Sequence, residues 1–269
     1  MFPRHIYGGI SRLVCGKNKL KSSKKYSNGT SPIQRSDSQV DSVLQKYDTQ
    51  QRKYLKEPCI LVDSADHVIG SASKKDCHLL TNISQGMLHR AFSVFLFNNK
   101  TELLLQQRAD TKITFPGMFT NTCCSHPLST TLELEERNAL GVRRAAQRKL
   151  FHELGIPPDQ IPLDKIKYIT RIQYSARNIP NDGIFAENEI DYVLFVLREV
   201  TLNINQNEVK TYQYVSQAQL KDMIAQADLG QVALTPWFRL ICKNFLFDWW
   251  ANLHKMETIK DHKNIHFLS

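Results

Sequence analysis

Cys124 and His126 stand two residues apart in the stretch Thr120-Asn121-Thr122-Cys123-Cys124-Ser125-His126-Pro127, shortly after Phe115-Pro116-Gly117. In an extended segment, side chains i and i+2 share a face. Cys124 and His126 would then point together while Cys123 and Ser125 point away. A thiol can act as acid, base or nucleophile, and an imidazole can hold a metal or a proton. His78, His89 and the pair Glu187-x-Glu189 carry related chemistry. The two glutamates are spaced to share one face of a strand, where adjacent carboxylates repel unless a cation or proton intervenes. A divalent ion resolves this, with nitrogen from His78, His89 and His126 and oxygen from Glu187 and Glu189, a set suited to five- or six-coordination. Taken singly, His89 reads first as a structural or exposed histidine rather than a ligand, and the glutamates could be a solvated loop edge. Adjacent Cys123 and Cys124 could help to hold zinc, although the paired C-x-x-C spacing of structural zinc sites is absent.

The elements that must position these groups are legible in outline. Residues 41–56 read as a lead-in helix and 59–63 as a short strand. Residues 89–97 are rich in aromatic and β-branched side chains; with the turn at 98–100 and a strand at 102–107 they predict a hairpin. Val142, Ala146, Leu150 and Leu154 recur every fourth residue, so a helix is expected over 140–154, with Gly155 as its stop. Strands follow at 167–173 and 189–197, separated by a loop containing Pro180, Asp182 and Gly183. Thr235-Pro236 reads as an N-cap and first-turn proline, and Phe238, Ile241, Cys242, Phe245 and Trp249 form a helical apolar stripe. Strands interleaved with a few helices, without regular βαβ alternation, predict an α+β fold, an α/β/α sandwich.

The chain has 269 residues, 42% hydrophobic and 23% charged, enough to bury a core in one domain or two. Its net charge of +9 suggests an anionic partner until the distribution is considered. Residues 1–36 hold eight Lys or Arg and no acid, which leaves 27 basic against 26 acidic residues in the rest. A nucleic-acid partner therefore loses its electrostatic support. We assign residues 1–50 to a basic arm, either a transit segment or a disordered tail, and 51–269 to the functional domain. The longest uninterrupted apolar run, 192–197, is too short for a membrane span. Six cysteines without framework spacing are expected to be reduced thiols. A soluble intracellular monomer follows, cytoplasmic, or mitochondrial if the arm is a transit segment.

The segment Arg148-Lys149-Leu150-Phe151-His152-Glu153-Leu154-Gly155-Ile156 resembles the end of a Nudix box, in which helical carboxylates gather Mg²⁺ around a diphosphate. Here Lys149 and His152 stand where two of the glutamates would be, leaving Glu153. Diphosphate binding fits such a helix better than phosphoanhydride hydrolysis. The motifs His89-Arg90-Ala91-Phe92-Ser93, Phe115-Pro116-Gly117, Thr122 to Pro127, Glu187-Asn188-Glu189 and Thr235-Pro236-Trp237 occur in the order that marks the type 1 isopentenyl-diphosphate Δ-isomerase family of the Nudix superfamily. The chain resembles that family from about residue 59 to 250.

The resemblance implies a Nudix-like α/β/α sandwich with a mixed β-sheet and flanking helices. It also implies metal ligation by His78, His89, His126, Glu187 and Glu189, catalysis by Cys124 and Glu189 with Tyr174 in support, and Glu153 on a Mg²⁺ that rides on the substrate diphosphate. Lys74, Arg108, Lys112 and Lys149 or Arg148 would hold the diphosphate. The ion at the His/Glu site would be Mg²⁺, Mn²⁺ or Zn²⁺.

Moving the double bond of isopentenyl diphosphate to give dimethylallyl diphosphate requires one proton added and another removed across an unactivated alkene. Two opposed proton-handling groups are needed. Glu189 with Tyr174 is the expected acid and Cys124, as a thiolate, the expected base. Trp237 reads as core by its helical position; by the resemblance its indole face would shelter a carbocation-like intermediate. The rival readings are a Nudix pyrophosphohydrolase and a non-catalytic Cys/His metal-binding module.

Overall fold

The computed structural model describes residues 37–177 and 183–268. These lie in the larger of the two units into which the chain divides, residues 32–269. The described strands, in chain order, are β1 (Pro58–Val62), β2 (Val68–Ser73), β3 (His89–Phe97), β4 (Leu103–Arg108), β5 (Phe119–Thr120), β6 (Cys123–Ser125), β7 (Lys167–Arg177), β8 (Ala186–Leu197), β9 (Val209–Val215) and β10 (Asp261–Leu268). The helices are α1 (Asp37–Leu44), α2 (Thr49–Tyr54), α3 (Lys74–His78), α4 (Leu80–Ser84), α5 (Leu140–Leu154), α6 (Gln217–Asp228), α7 (Pro236–Ile241) and α8 (Phe247–Ala251).

All strands join one mixed sheet whose main path runs β10-β7-β8-β3-β1-β2. Every residue of β3 is buried, as a strand covered on both faces requires. Its side chains alternate between two cores. Phe92, Val94 and Leu96 pack with Val142, Ala146, Leu150 and Leu154 of α5, while Phe95 and Phe97 pack with Trp237, Phe238 and Ile241 of α7 and Trp249 of α8. A helical layer therefore covers each face, which is the α/β/α sandwich expected.

Register places the chemistry. β3 and β8 run parallel with His89 beside Glu189. β7 and β8 run antiparallel with Tyr174 beside Glu189 and Ala176 beside Glu187. On the other edge of β3, antiparallel β6 sets Cys124 beside Ser93. The histidine, the glutamate and the tyrosine thus form a row across three neighbouring strands.

The expected helix at 140–154 is α5, closed by Gly155 at φ 64 with its N–H donating to Leu150 and Phe151 carbonyls. Five expectations need correction. The lead-in helix over 41–56 is two helices, because Asp48 accepts from the Gln50 and Gln51 N–H groups at 2.8 and 3.0 Å and caps a new one. The hairpin of β3 and β4 is paired only at Phe97 and Leu103; β6 takes the adjoining edge of β3, and β4 turns to β5 and β9. The strands at 167–173 and 189–197 extend to Arg177 and back to Ala186, so Tyr174 and Glu187 lie on strands. The closing helix is interrupted by a wider turn at residues 242–246 between α7 and α8. Thr235 precedes α7 with extended geometry but makes no capping bond; its hydroxyl donates to Thr120 Oγ1 at 2.8 Å instead.

Pro180 and Asp182 of the expected loop lie outside the described residues, as does the part of the arm before Asp37. Within the segment assigned to the arm, α1 already buries Val40 and Leu44 in a cluster with Ile113 and Phe185. The described cysteines Cys59, Cys77, Cys123, Cys124 and Cys242 are free thiols. Among the described residues no helix is long and apolar enough to cross a membrane.

Gly155 also fixes a loop. A Cβ there would lie 2.2 Å from the Asn203 carbonyl oxygen in a left-handed conformation. Gly155→Ala is expected to destabilise the fold by about 2–4 kcal/mol in urea unfolding; a loss under about 0.5 kcal/mol would show that the loop yields freely.

Candidate active site

His78 ends the short helix α3, His89 starts β3, His126 follows β6, and Glu189 lies on β8. Glu189 Oε1 accepts from His126 Nε2 at 2.7 Å and His89 Nε2 at 3.1 Å, and lies 3.8 Å from His78 Nε2. One ligand atom from each of these four residues lies within 4.8 Å of the others. The His78 Nδ1–H donates to the Lys74 carbonyl at 2.7 Å, which leaves Nε2 with its lone pair toward the cluster. Such an orienting bond is the usual companion of a metal-bound imidazole. Three nitrogens and one carboxylate oxygen, all buried, fit a divalent cation of borderline softness.

Three imidazoles with ring centroids 4.8 to 5.0 Å apart cannot all be charged. Burial pushes His78 well down and His126 down to about 3. At His89 burial works the same way, but the bond to Glu189 overrides it and raises the ring. Burial also works to raise Glu189, and His126 and His89 outweigh it, holding the carboxyl well below its usual range. The Glu189 carboxylate is thereby shielded by the His89 and His126 N–H groups.

Glu187 falls outside this group. The Tyr174 hydroxyl reaches Glu187 Oε2 at 2.9 Å and Glu189 Oε2 at 2.7 Å. It has one hydrogen for two acceptors, so one carboxyl must bring its own proton. Burial and the Glu189 charge raise Glu187 to about 8. Burial raises Tyr174 well above its ordinary value, with both glutamates adding to the effect. Asp191, two residues on, is buried with Oδ2 accepting from Ser93 at 2.7 Å and Oδ1 without a partner.

One cavity brings together Cys124, His78, His126, Tyr174, Glu187, Glu189 and Trp237 with Lys74, Arg108, Lys112, Lys149 and Glu153. Of the site residues expected from sequence, His89, buried in the cluster behind, and Arg148 do not line it. The adjacent thiols part as strand alternation requires. Cys124 reaches the cavity, with Arg108 Nη1 at 3.9 Å from its sulfur. Cys123 is wholly buried against α5, where its S–H donates to Glu153 Oε2 at 3.5 Å. A thiolate at Cys124 is not what this environment favours. Burial pushes the thiol up to about 12, with Arg108 as the chief opposing charge.

Arg108 is clamped by the loop it precedes: Nε donates to the Phe115 carbonyl at 3.0 Å and Nη2 to the Thr114 carbonyl at 2.8 Å. Phe115, at a positive φ of 48, packs edge-on against Trp237 at 5.3 Å. The indole Nε1–H donates to Asn121 Oδ1 at 3.0 Å, and Asn121 in turn donates to the Val94 and Cys123 carbonyls. The indole therefore has a fixed orientation at the cavity wall, set by a residue the sequence reading passed over. Asn121 lies inside the motif of Cys124 and His126, where an amide carries no local signal of this role.

Glu153 is also fully engaged. Oε1 meets Lys149 Nζ at 3.1 Å and Oε2 accepts from Gln106 Nε2 at 2.9 Å. Lys149 donates to His152 Nδ1 at 3.0 Å, which puts the His152 proton on Nε2, facing the Tyr54 hydroxyl at 2.9 Å. Burial works to lower Lys149, but Glu153 and Glu208 override it and hold the ammonium above the lysine range. Arg148 points elsewhere, bonding Glu133 at 2.6 and 2.9 Å; Lys149 is the one of the two that faces the cavity. Glu208 has no motif around it, and nothing in its local sequence marks it.

The NUDIX domain family matches residues 87–238. Isopentenyl-diphosphate Delta-isomerase 1 of Bos taurus is 55% identical over 219 residues, covering 81% of this chain and 95% of the relative. The protein of the same name from Mus musculus is 53% identical over 221 residues, 82% of this chain and 96% of the relative. Isopentenyl-diphosphate Delta-isomerase I of Camptotheca acuminata is 51% identical over 224 residues, 81% and 94%. With the NUDIX match across β3 to α7 and identities above one half along most of its length, the chain belongs to the isopentenyl-diphosphate Delta-isomerases of the NUDIX family.

Proposed function

We propose that this chain interconverts isopentenyl diphosphate and dimethylallyl diphosphate, with Cys124 on one edge of β3 and Glu189 with Tyr174 on the other as the two proton-handling groups. The observation that carries the reading is their convergence on one buried cavity that is ringed by cations at one side and walled by an indole at another. A shift of a double bond across three carbons needs a proton delivered at one end and removed at the other. Strands β6 and β8 flank β3 from opposite edges, which supports assigning the two transfers to different side chains. Because the interconversion is reversible, the donor in one direction is the acceptor in the other.

Lys74, Arg108, Lys112 and Lys149 would bind the diphosphate, Arg108 through the fork its clamped guanidinium presents. Trp237, whose ring lies 5.8 Å from the Arg108 guanidinium carbon, would offer its face to the electron-poor carbon without becoming a nucleophile. His78, His89, His126 and Glu189 would hold the divalent ion, while Glu187 stays bonded to the Tyr174 hydroxyl. An ion there would neutralise and orient the Glu189 carboxylate. A nitrogen-rich set favours Zn²⁺ or Mn²⁺ over Mg²⁺; Mg²⁺ would accompany the diphosphate, with Glu153 lining its path. Hydrolysis is disfavoured because Lys149 supplies an ammonium where the box would supply a carboxylate. A monomer, soluble and intracellular, in the cytoplasm or mitochondria, completes the reading; size-exclusion chromatography and cell fractionation test it.

Incubation with isopentenyl diphosphate and Mg²⁺ in D₂O should give dimethylallyl diphosphate carrying deuterium, followed by NMR. Folded, metal-loaded protein that forms neither product nor label would sink the proposal. Cys124→Ala should lower kcat by roughly 10³-fold or more, whereas Cys123→Ala should stay within about threefold at a cost in stability; the reverse order would reassign the thiol. His89→Ala should lower the bound metal measured by elemental analysis by more than about tenfold, and unchanged occupancy would place the ion elsewhere.

A further inference from the structure

Glu208 immediately precedes β9 and is 1% exposed. Its Oε2 accepts from Lys112 Nζ at 2.6 Å and lies 3.9 Å from Lys149 Nζ. Its Oε1 accepts from Gln51 Nε2 of α2 at 2.8 Å. Lys112 follows β4 and Lys149 lies on α5, so one carboxylate joins cations from two unconnected elements. The backbone fixes where that carboxylate stands. Asn203 and Asn205 N–H groups donate to the Leu154 and Glu153 carbonyls at 2.8 and 2.9 Å, satisfying the open end of α5. The Ala109 N–H donates to the Glu208 carbonyl at 3.0 Å, tying the same loop to the end of β4.

Lysine ammoniums on long stems lose rotamer freedom when they are held, and like charges in one cavity repel. Lys112 faces Glu208, Arg108, Lys74 and Lys149. Burial lowers it and the three cations add to that, leaving Glu208 as the charge that opposes them. Tyr54, His152 and Glu153 also face the Glu208 carboxylate. We propose that Glu208 is a positioning residue for the diphosphate: it holds the Lys112 and Lys149 ammoniums together at the cavity without touching substrate. The proposal rests on the isomerase reading for the identity of the natural ligand.

Glu208→Gln keeps the shape and removes the charge. KM for isopentenyl diphosphate should rise about tenfold with kcat within about twofold. The basic limb of kcat/KM should move down by about one pH unit, because Lys112 without its counter-charge loses its proton at lower pH. Calorimetry with inorganic diphosphate and Mg²⁺ should show about tenfold weaker binding, and Glu208→Asp should recover part of each loss. Unchanged KM, pH limb and inorganic diphosphate affinity in folded Glu208→Gln would overturn the proposal, as would a fall in kcat at constant KM. Should Glu208→Gln not fold, Glu208→Asp replaces it: the retracted carboxylate should raise KM and weaken inorganic diphosphate binding by about threefold with kcat within about twofold, and no change in either would overturn the proposal. Wild-type protein that binds inorganic diphosphate but forms no dimethylallyl product would end the isomerase reading while leaving the calorimetric comparison intact.

Discussion

A buried carboxylate at Glu189, accepting from two imidazoles and a phenol at 2.7 to 3.1 Å, is the interaction on which the rest depends. An ionised group in so enclosed a place costs several kcal/mol unless its oxygens are met by donors. Those donors come from β3, β7 and the segment after β6, so the sheet must deliver all three in one register. A slip of one residue between β3 and β8 would turn every side chain of the shifted strand to the opposite face. What forbids the slip is apolar: Phe92, Val94 and Leu96 belong to the core under α5, and Phe95 and Phe97 to the core under α7 and α8. The hydrophobic alternation and the active-site row are therefore one constraint.

That constraint explains which parts could be read from sequence. Four-residue periodicity and a following glycine identify α5 to the residue, because both signals are local. The run at 89–97 identifies β3, but its partners are remote, and the adjacent β4 touches it at a single pair. Expecting a hairpin follows from the turn at 98–100; its shortening to a single pair follows from β6, whose pairing has no local signature. β2, β9, β10 and the capped helix α6 escaped for related reasons. β9 offers one partner edge and an exposed middle, and β10 has no buried residue, so neither shows the apolar run that betrays a central strand.

The site divides along the same line. The spacing of Cys124 and His126, and of Glu187 and Glu189, states which side chains travel together, and the cavity contains all four. Spacing does not state partners. Glu187 turns to Tyr174, leaving four residues whose ligand atoms lie close enough to hold a metal ion. Charge state is less accessible still. A thiol among arginine and lysine reads as a thiolate on paper, yet the desolvation of Cys124 outweighs Arg108. Such a balance depends on how completely the surrounding fold excludes water, which no residue type records.

The same balance accounts for the departure of α5 from the Nudix pattern. Glu153 and Glu208 are both buried and both lie near Lys149. Two carboxylates so placed would invite a metal; an ammonium between them removes the invitation and leaves Lys112, Lys149, Arg108 and Lys74 lining one cavity. A helix with carboxylates at those positions gathers ions to attack a phosphoanhydride. With an ammonium there, held at an i,i+4 spacing from Glu153, the helix can grip a diphosphate while the reaction proceeds elsewhere. Buried pairs of this kind add little net stability. Their value lies in holding a charge still, which suits a site that must keep a diphosphate intact while protons move at the other end of the molecule.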